Sequence, residues 1–411
     1  MKAITNATVV SQGQALTNHA LIFDEQIQAV CPAAAVTRWP VNEVIDAQGL
    51  LVVPGLIDIH VHGCGGYDAM DASQQSLAAM ARCLAQHGVT SFLPTTMTAK
   101  RVEIERVLDN LRSGDIPLLV NELEVASCPK SRLDHNCQTS LKAEECPHRD
   151  GAALLQEVSS LAAGARVLGV NLEGPFLNPS FKGAHAAEHL ALPDFDLLAN
   201  YIDVIRIITL APELTGSAAL LSKLAAYPQV VPAIGHSGAS FEEVQLAIKQ
   251  GVRHATHLFN AMSPLHHRQP GVVGAVLANG LSAELIADNL HVHPGLYQLL
   301  LKTHGPERLI LVSDSMRAAG LGEDEYELGG QMVRVKEGAA RLPDGTLAGS
   351  ILTLNKAVFN FQRATGCRVA EAIALATRNP ARLLGLQDYI GYLVEGMEAD
   401  IVVLDEECNT C

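Results

Sequence analysis

Apolar and polar positions divide the chain into three regions. Short β-prone runs at 3–10, 20–23, 26–30, 43–45 and 51–53 alternate with turn residues, and the far end has the same texture at 390–394 and 399–404. Between these ends, eight strand-sized apolar runs occupy 56–60, 89–93, 167–172, 204–209, 230–234, 254–258, 283–287 and 309–313. Ala- and Leu-rich stretches of helical period fill the gaps, among them 73–87, 241–250, 294–303 and 369–377. Such alternation predicts βα units around a parallel sheet. Eight units predict an α/β fold, a (β/α)8 barrel over 54–387, with an open doubly wound sheet as the competing arrangement. The two chain ends, 1–53 with 388–411, predict a small β-sandwich assembled from both.

Polar residues are not spread evenly over this pattern. They gather where the barrel strands end: Asp58-Ile59-His60-Val61-His62, Asn171-Leu172-Glu173, Gly235-His236-Ser237, His257-Leu258-Phe259-Asn260, Asp288-Asn289-Leu290-His291 and Ser313-Asp314. In a βα barrel the carboxyl ends of the strands build the active site. His60 and His62, two apart on an extended segment, share a face and suit a metal or a polar barrel mouth equally well. Glu173, His236 and His257 add one carboxylate and two imidazoles, the ligand set of a catalytic site that keeps a position open for water. Asp314 ends a rigid strand, where a carboxylate beside a metal takes a proton from water and returns it to a leaving amine. His291 is placed to steady an oxyanion.

Charge narrows the partners. With 44 acidic against 29 basic side chains the formal net charge is −15, so the averaged field repels nucleic acid and anionic membranes. An anionic small molecule then needs local donors. The first residues lack the apolar core of a signal peptide, and nine cysteines make no paired framework, so a soluble cytoplasmic protein with reduced thiols is expected.

The run Pro54-Gly55-Leu56-Ile57-Asp58-Ile59-His60-Val61-His62-Gly63 resembles the opening strand of the amidohydrolase superfamily. Asn171-Leu172-Glu173-Gly174-Pro175-Phe176, Lys182-Gly183-Ala184-His185, Ala255-Thr256-His257-Leu258-Phe259-Asn260-Ala261-Met262 and Leu347-Ala348-Gly349-Ser350 are similar to the N-acetylglucosamine-6-phosphate deacetylase family within it. The resemblance covers nearly all of the chain outside about 121–152. It implies Glu173, His236 and His257 as ligands of a divalent metal, with His60 and His62 able to hold a second ion that Glu173 bridges. Zinc is the first expectation; iron, manganese and cobalt are alternatives. It implies Asp314 as acid and base. It also implies contacts to a phosphorylated N-acetyl amino sugar from Ala184, His185, Asn260, Ala261, Asp288, Asn289, Leu290, His291, Leu347, Ala348 and Gly349. Arg268 would cross a homodimer interface to the neighbouring subunit's phosphate. The implied reaction is deacetylation, with the galacto epimer as an alternative substrate and a silent sugar-phosphate binder as another class.

Two stretches depart from this pattern. Residues 121–152 carry Cys128, His135, Cys137, Cys146 and His148 on spacings that lack a short zinc knuckle, so an inserted surface segment is expected rather than a zinc clasp. After 401–404 the family adds a further hairpin, whereas this sequence stops at Cys411, which puts the small domain's completeness in question.

Overall fold

The computed structural model describes residues 1–113 and 164–411. The segment 121–152, with Cys128, Cys137, Cys146, His135 and His148, therefore lies outside the described residues.

All eight runs expected to be parallel strands are strands, in two sheets. One has the order Arg166–Val167, Val89–Pro94, Leu56–Val61. The other runs Val170–Glu173, Ile205–Leu210, Val231–Ile234, His254–Ala255, Ser282–Ile286, Leu309–Val312. Single bridges, Thr95 to Asn171 and Val61 to Ser315, join the sheets at both edges, so the parallel sheet curls around a shared interior. The third strand is split: Gly169 sits at φ +129°, and a Cβ there would lie 2.6 Å from the Val204 carbonyl oxygen. The sixth is shorter than expected, because the backbone leaves the ladder at His257, whose φ is 26°.

Helices cover the sheet for reasons visible in the sequence. In Gln74–Ala85 the buried Leu77, Met80, Ala81 and Leu84 repeat at the helical spacing that makes one apolar stripe. Phe241–Lys249 begins with a capping box, in which Ser240 Oγ accepts from the Glu243 N–H at 3.2 Å and Glu243 Oε2 accepts from the Ser240 N–H at 2.8 Å. None of the described helices is long and apolar enough to cross a membrane.

The terminal strands form one sheet in the order Ile401–Leu404, Leu51–Pro54, Lys2–Ser11, Gln14–Phe23, Ile27–Pro32, with Glu43–Asp46 also paired to Lys2–Ser11. Residues 390–394 are not the strand that their apolar content suggested. Gly391, at φ +90°, turns the chain there, and Leu393 is instead buried under the terminal sheet while its carbonyl accepts from Ser11 Oγ at 2.7 Å. A second feature was not anticipated from the sequence. Glu325–Leu328, Gln331–Lys336 and Ala339–Arg341 pair into a three-stranded antiparallel sheet after the eighth parallel strand.

The terminal sheet meets the parallel sheet at Gly55, whose N–H donates to the Asp400 carbonyl at 3.0 Å. Asp400 Oδ2 also accepts from Thr90 Oγ1 at 2.8 Å and from Arg166 at 3.1 Å. A Cβ on Gly55 would come 2.0 Å from Thr90 Oγ1 and 2.6 Å from Asp400 Oδ1. Gly55→Ala is therefore expected to destabilise the protein by about 1–3 kcal/mol, seen as a lower midpoint in urea unfolding; an unchanged midpoint would show that the junction yields freely.

Candidate metal centre and pocket

Glu173 closes its strand with its carboxylate in the interior, 2% exposed. Its Oε1 lies 3.0 Å from His236 Nε2 and 2.8 Å from His257 Nε2, and those two nitrogens are 3.1 Å apart. Its Oε2 lies 3.2 Å from His62 Nε2 and 3.4 Å from His60 Nε2. Asp314 Oδ1 faces the same pair, at 3.2 Å from His62 and 3.5 Å from His60. His236, His257 and Asp314 all have positive φ, at 52°, 26° and 47°, values that non-glycine residues rarely adopt. Strain of this kind gathers at functional sites, and here it turns three side chains inward from three strand ends.

The outer nitrogens decide which rings are free to bind a cation. His236 Nδ1 is 2.8 Å from the Phe181 carbonyl, His62 Nδ1 is 3.2 Å from the Thr95 carbonyl, and His60 Nδ1 is 2.8 Å from the Glu284 carboxylate. Each partner only accepts, so each Nδ1 carries a proton, and it is Nε2 that is left to face Glu173, either to hold a second proton or to bind a cation. Bare nitrogens facing a carboxylate repel one another unless a cation sits among them. His60 Nε2 has no hydrogen-bond partner despite full burial. The donor set thus fits one or two divalent ions: His60, His62 and Asp314 form one group and Glu173, His236 and His185 another, to which His257 adds its Nε2 at 2.8 Å from Glu173 Oε1. His185 Nε2 also reaches Glu173 Oε2, at 3.5 Å, but the Thr98 N–H donates to its Nδ1 at 3.1 Å. Its Nε2 therefore carries the hydrogen, making His185 a donor into the pocket rather than a ligand.

Electrostatics tells the same story with protons as the cations. Burial opposes charge on Glu173, yet the neighbouring His60 and hydrogen bonds from His185, His236 and His257 hold it well below the usual carboxylate range. Burial likewise works against a charged His62, but Asp314 and Glu173 push it up to about 9. His185 goes the other way, down to about 4, chiefly through burial, and is neutral.

Above the cluster opens a cavity of about 510 Å³. Its wall contains Ala184, His185, Asn260, Ala261 and His291, with Leu347 and Gly349 from the segment beyond the three-stranded sheet. Other expected residues do not line it, and Asn289 and Leu290 are exposed to solvent. His60 and Ala348 are fully buried beneath it, while Asp288 braces His291, its Oδ2 2.6 Å from Nδ1 and its Oδ1 2.8 Å from the Leu290 and His291 N–H groups. Asn289 donates its N–H to the Tyr297 hydroxyl at 3.0 Å. Arg268 is exposed and lines no part of this pocket; its guanidinium contacts His267 at 2.7 Å. Sequence reasoning missed Phe181, Met97, Leu328, Arg341 and Thr346, which also line the cavity. Phe181 stood between two motifs that were read, whereas Arg341 and Thr346 depend on the unforeseen sheet.

The model of the amidohydrolase family matches residues 51–410. An N-acetylglucosamine-6-phosphate deacetylase of Bacillus subtilis is 35% identical over 413 residues, covering 99% of this chain and 93% of its own. An N-acetylgalactosamine-6-phosphate deacetylase of Escherichia coli O157:H7 is also 35% identical, with 95% and 93% covered. Among solved structures, a mutant N-acetyl-D-glucosamine-6-phosphate deacetylase of Mycobacterium smegmatis in complex with N-acetyl-D-glucosamine-6-phosphate superposes with a TM-score of 0.81. It is 28% identical, with 100% of this chain and 96% of that one covered.

The donor set predicts saturable zinc binding. Glu173→Gln, which removes the carboxylate shared by both groups, is expected to lower the zinc retained after dialysis to well under half, measured by plasma mass spectrometry; full retention would show that the cluster is not the metal site.

Proposed function

This chain belongs to the amidohydrolase family, and we propose that it hydrolyses the acetamide of N-acetyl-D-glucosamine 6-phosphate to acetate and D-glucosamine 6-phosphate. The convergence of Glu173, His236 and His257, with Asp314 opposite, at the floor of a sugar-sized cavity carries this reading. Full-length relatives bearing that name support the choice of substrate. The two parallel sheets and their edge bridges are read as one (β/α)8 barrel spanning 54–387, with the terminal sheet as the small β domain of 1–53 and 388–411.

Glu173, His236 and His257 would hold one divalent cation, and His60 and His62 a second that shares Glu173; zinc, iron, manganese and cobalt all suit such ligands. When bound, the cation supplies Lewis acidity, lowering the pKa of water towards ~7 and polarising the acyl carbonyl. The protein's own residues do the rest. Asp314 accepts the proton from the attacking water and passes it to the departing amine. His291, held by Asp288, leaves Nε2 for the carbonyl oxygen as negative charge gathers there. His185 donates to the sugar, while Asn260, Ala261, Leu347 and Gly349 shape its seat. The acidic average of the chain makes phosphate binding a local matter. Exposed Arg268, outside its own pocket, suits a phosphate in the neighbouring subunit of a homodimer.

Asp314→Asn is expected to keep the ion held by Glu173, His236 and His257 and to lose about 10²–10⁴-fold in kcat, followed by acetate release beside metal analysis; a near-normal kcat would remove Asp314 from the proton transfer. The galacto epimer stays a live second substrate because a relative acting on it by name is equally similar. We expect kcat/KM to favour the gluco phosphosugar, and a reversed ratio would reassign the substrate.

A further inference from the structure

Glu284 lies in the middle of the Ser282–Ile286 strand, fully buried between apolar Ala283 and Leu285. Taking a carboxylate out of water is costly unless it is fully paired, so its partners are informative. Among the described residues no Lys or Arg makes an ion pair with it; its partners are histidines and one backbone amide. Oε1 is 3.1 Å from His254 Nε2, whose other ring nitrogen is 2.8 Å from Ser282 Oγ. Oε2 accepts from His60 Nδ1 at 2.8 Å and from the His257 backbone N–H at 2.9 Å.

That one oxygen therefore reaches both halves of the cluster. His60 belongs to the group with His62 and Asp314, and His257 to the group with Glu173 and His236. Because the carboxylate only accepts, it fixes the His60 proton on Nδ1 and aims Nε2 at Glu173 and Asp314, at 3.4 and 3.5 Å. At His257 it anchors a backbone amide at φ 26°, a conformation that needs outside support. We propose that Glu284 is the positioning residue of the metal centre, presenting His60 through its ring and His257 through its backbone. This rests on the metal part of the proposed function and is independent of the substrate.

The test measures zinc affinity by chelator competition, without substrate, on wild type, Glu284→Gln, His60→Gln and the double variant. Glutamine keeps the shape but removes the charge and one acceptor. Partners of this kind typically contribute 10- to 100-fold in metal affinity, so Glu284→Gln is expected to bind zinc about 10- to 100-fold more weakly. The His60-dependent part of that loss should vanish when His60 is already glutamine, so the double variant should fall short of the product of the two single losses. Unchanged affinity in Glu284→Gln, or fully multiplicative losses, would overturn the assignment. Wild type that binds no zinc would instead remove the metal reading itself, which keeps the two failures distinct. Should Glu284→Gln fail to fold, wild type loaded with 113Cd and 15N-histidine gives the answer. The His60 signal, identified by its loss in His60→Gln, should show cadmium coupling at Nε2 and a proton on Nδ1; coupling at Nδ1 would overturn it.

Discussion

The carboxylate of Glu173 is met within 3.5 Å by the Nε2 atoms of His236, His257, His62, His60 and His185. Packing so many imidazoles around one buried acid is a constraint on everything near it. Four of the rings have their tautomer fixed from behind: Phe181, Thr95, Glu284 and Thr98 supply backbone or carboxylate partners to His236, His62, His60 and His185. Rings must also be aimed, and His236 and His257, like Asp314, adopt positive φ at their strand ends to do it. The fold provides what such strain requires: parallel strands, buried along their whole length, that hold their ends still.

Much of this was legible in the sequence because two periodicities met at the same places. An apolar run followed at once by His, Glu or Asp marks a strand that is buried and then functional, and Asn171-Leu172-Glu173 and Gly235-His236-Ser237 both carry that mark. What escaped notice had a weaker mark or none. Gln331–Lys336 does alternate, with Val333 and Val335 buried between exposed Met332, Arg334 and Lys336, but its flanking runs are too short to show a period. Missing that sheet meant missing Arg341 in the pocket wall. Residues 390–394 failed in the opposite direction, since an apolar run turned by Gly391 reads like a strand without being one. Glu284 and His254 were visible as polar residues inside or at the start of apolar strands. They look like defects until the structure shows Glu284 meeting His60 with one carboxylate oxygen and His254 with the other.

The charge balance takes on a local meaning in this setting. A chain of net charge −15 brings two of its carboxylates, Glu173 and Asp314, together against the same pair of imidazoles, His60 and His62. The long-range field discourages polyanions, while the cavity above the cluster is lined by His185 and the braced His291. Support and chemistry are divided between residues: Asp288 and Glu284 hold rings in place from behind, and Asp314 faces the cavity.

The most direct measurement is a zinc titration of metal-free protein supplied with N-acetylglucosamine 6-phosphate, following bound zinc and released acetate together. Acetate release should be absent at the start and rise in step with zinc bound. A protein that fills with zinc and binds the phosphosugar yet releases no acetate would contradict the account.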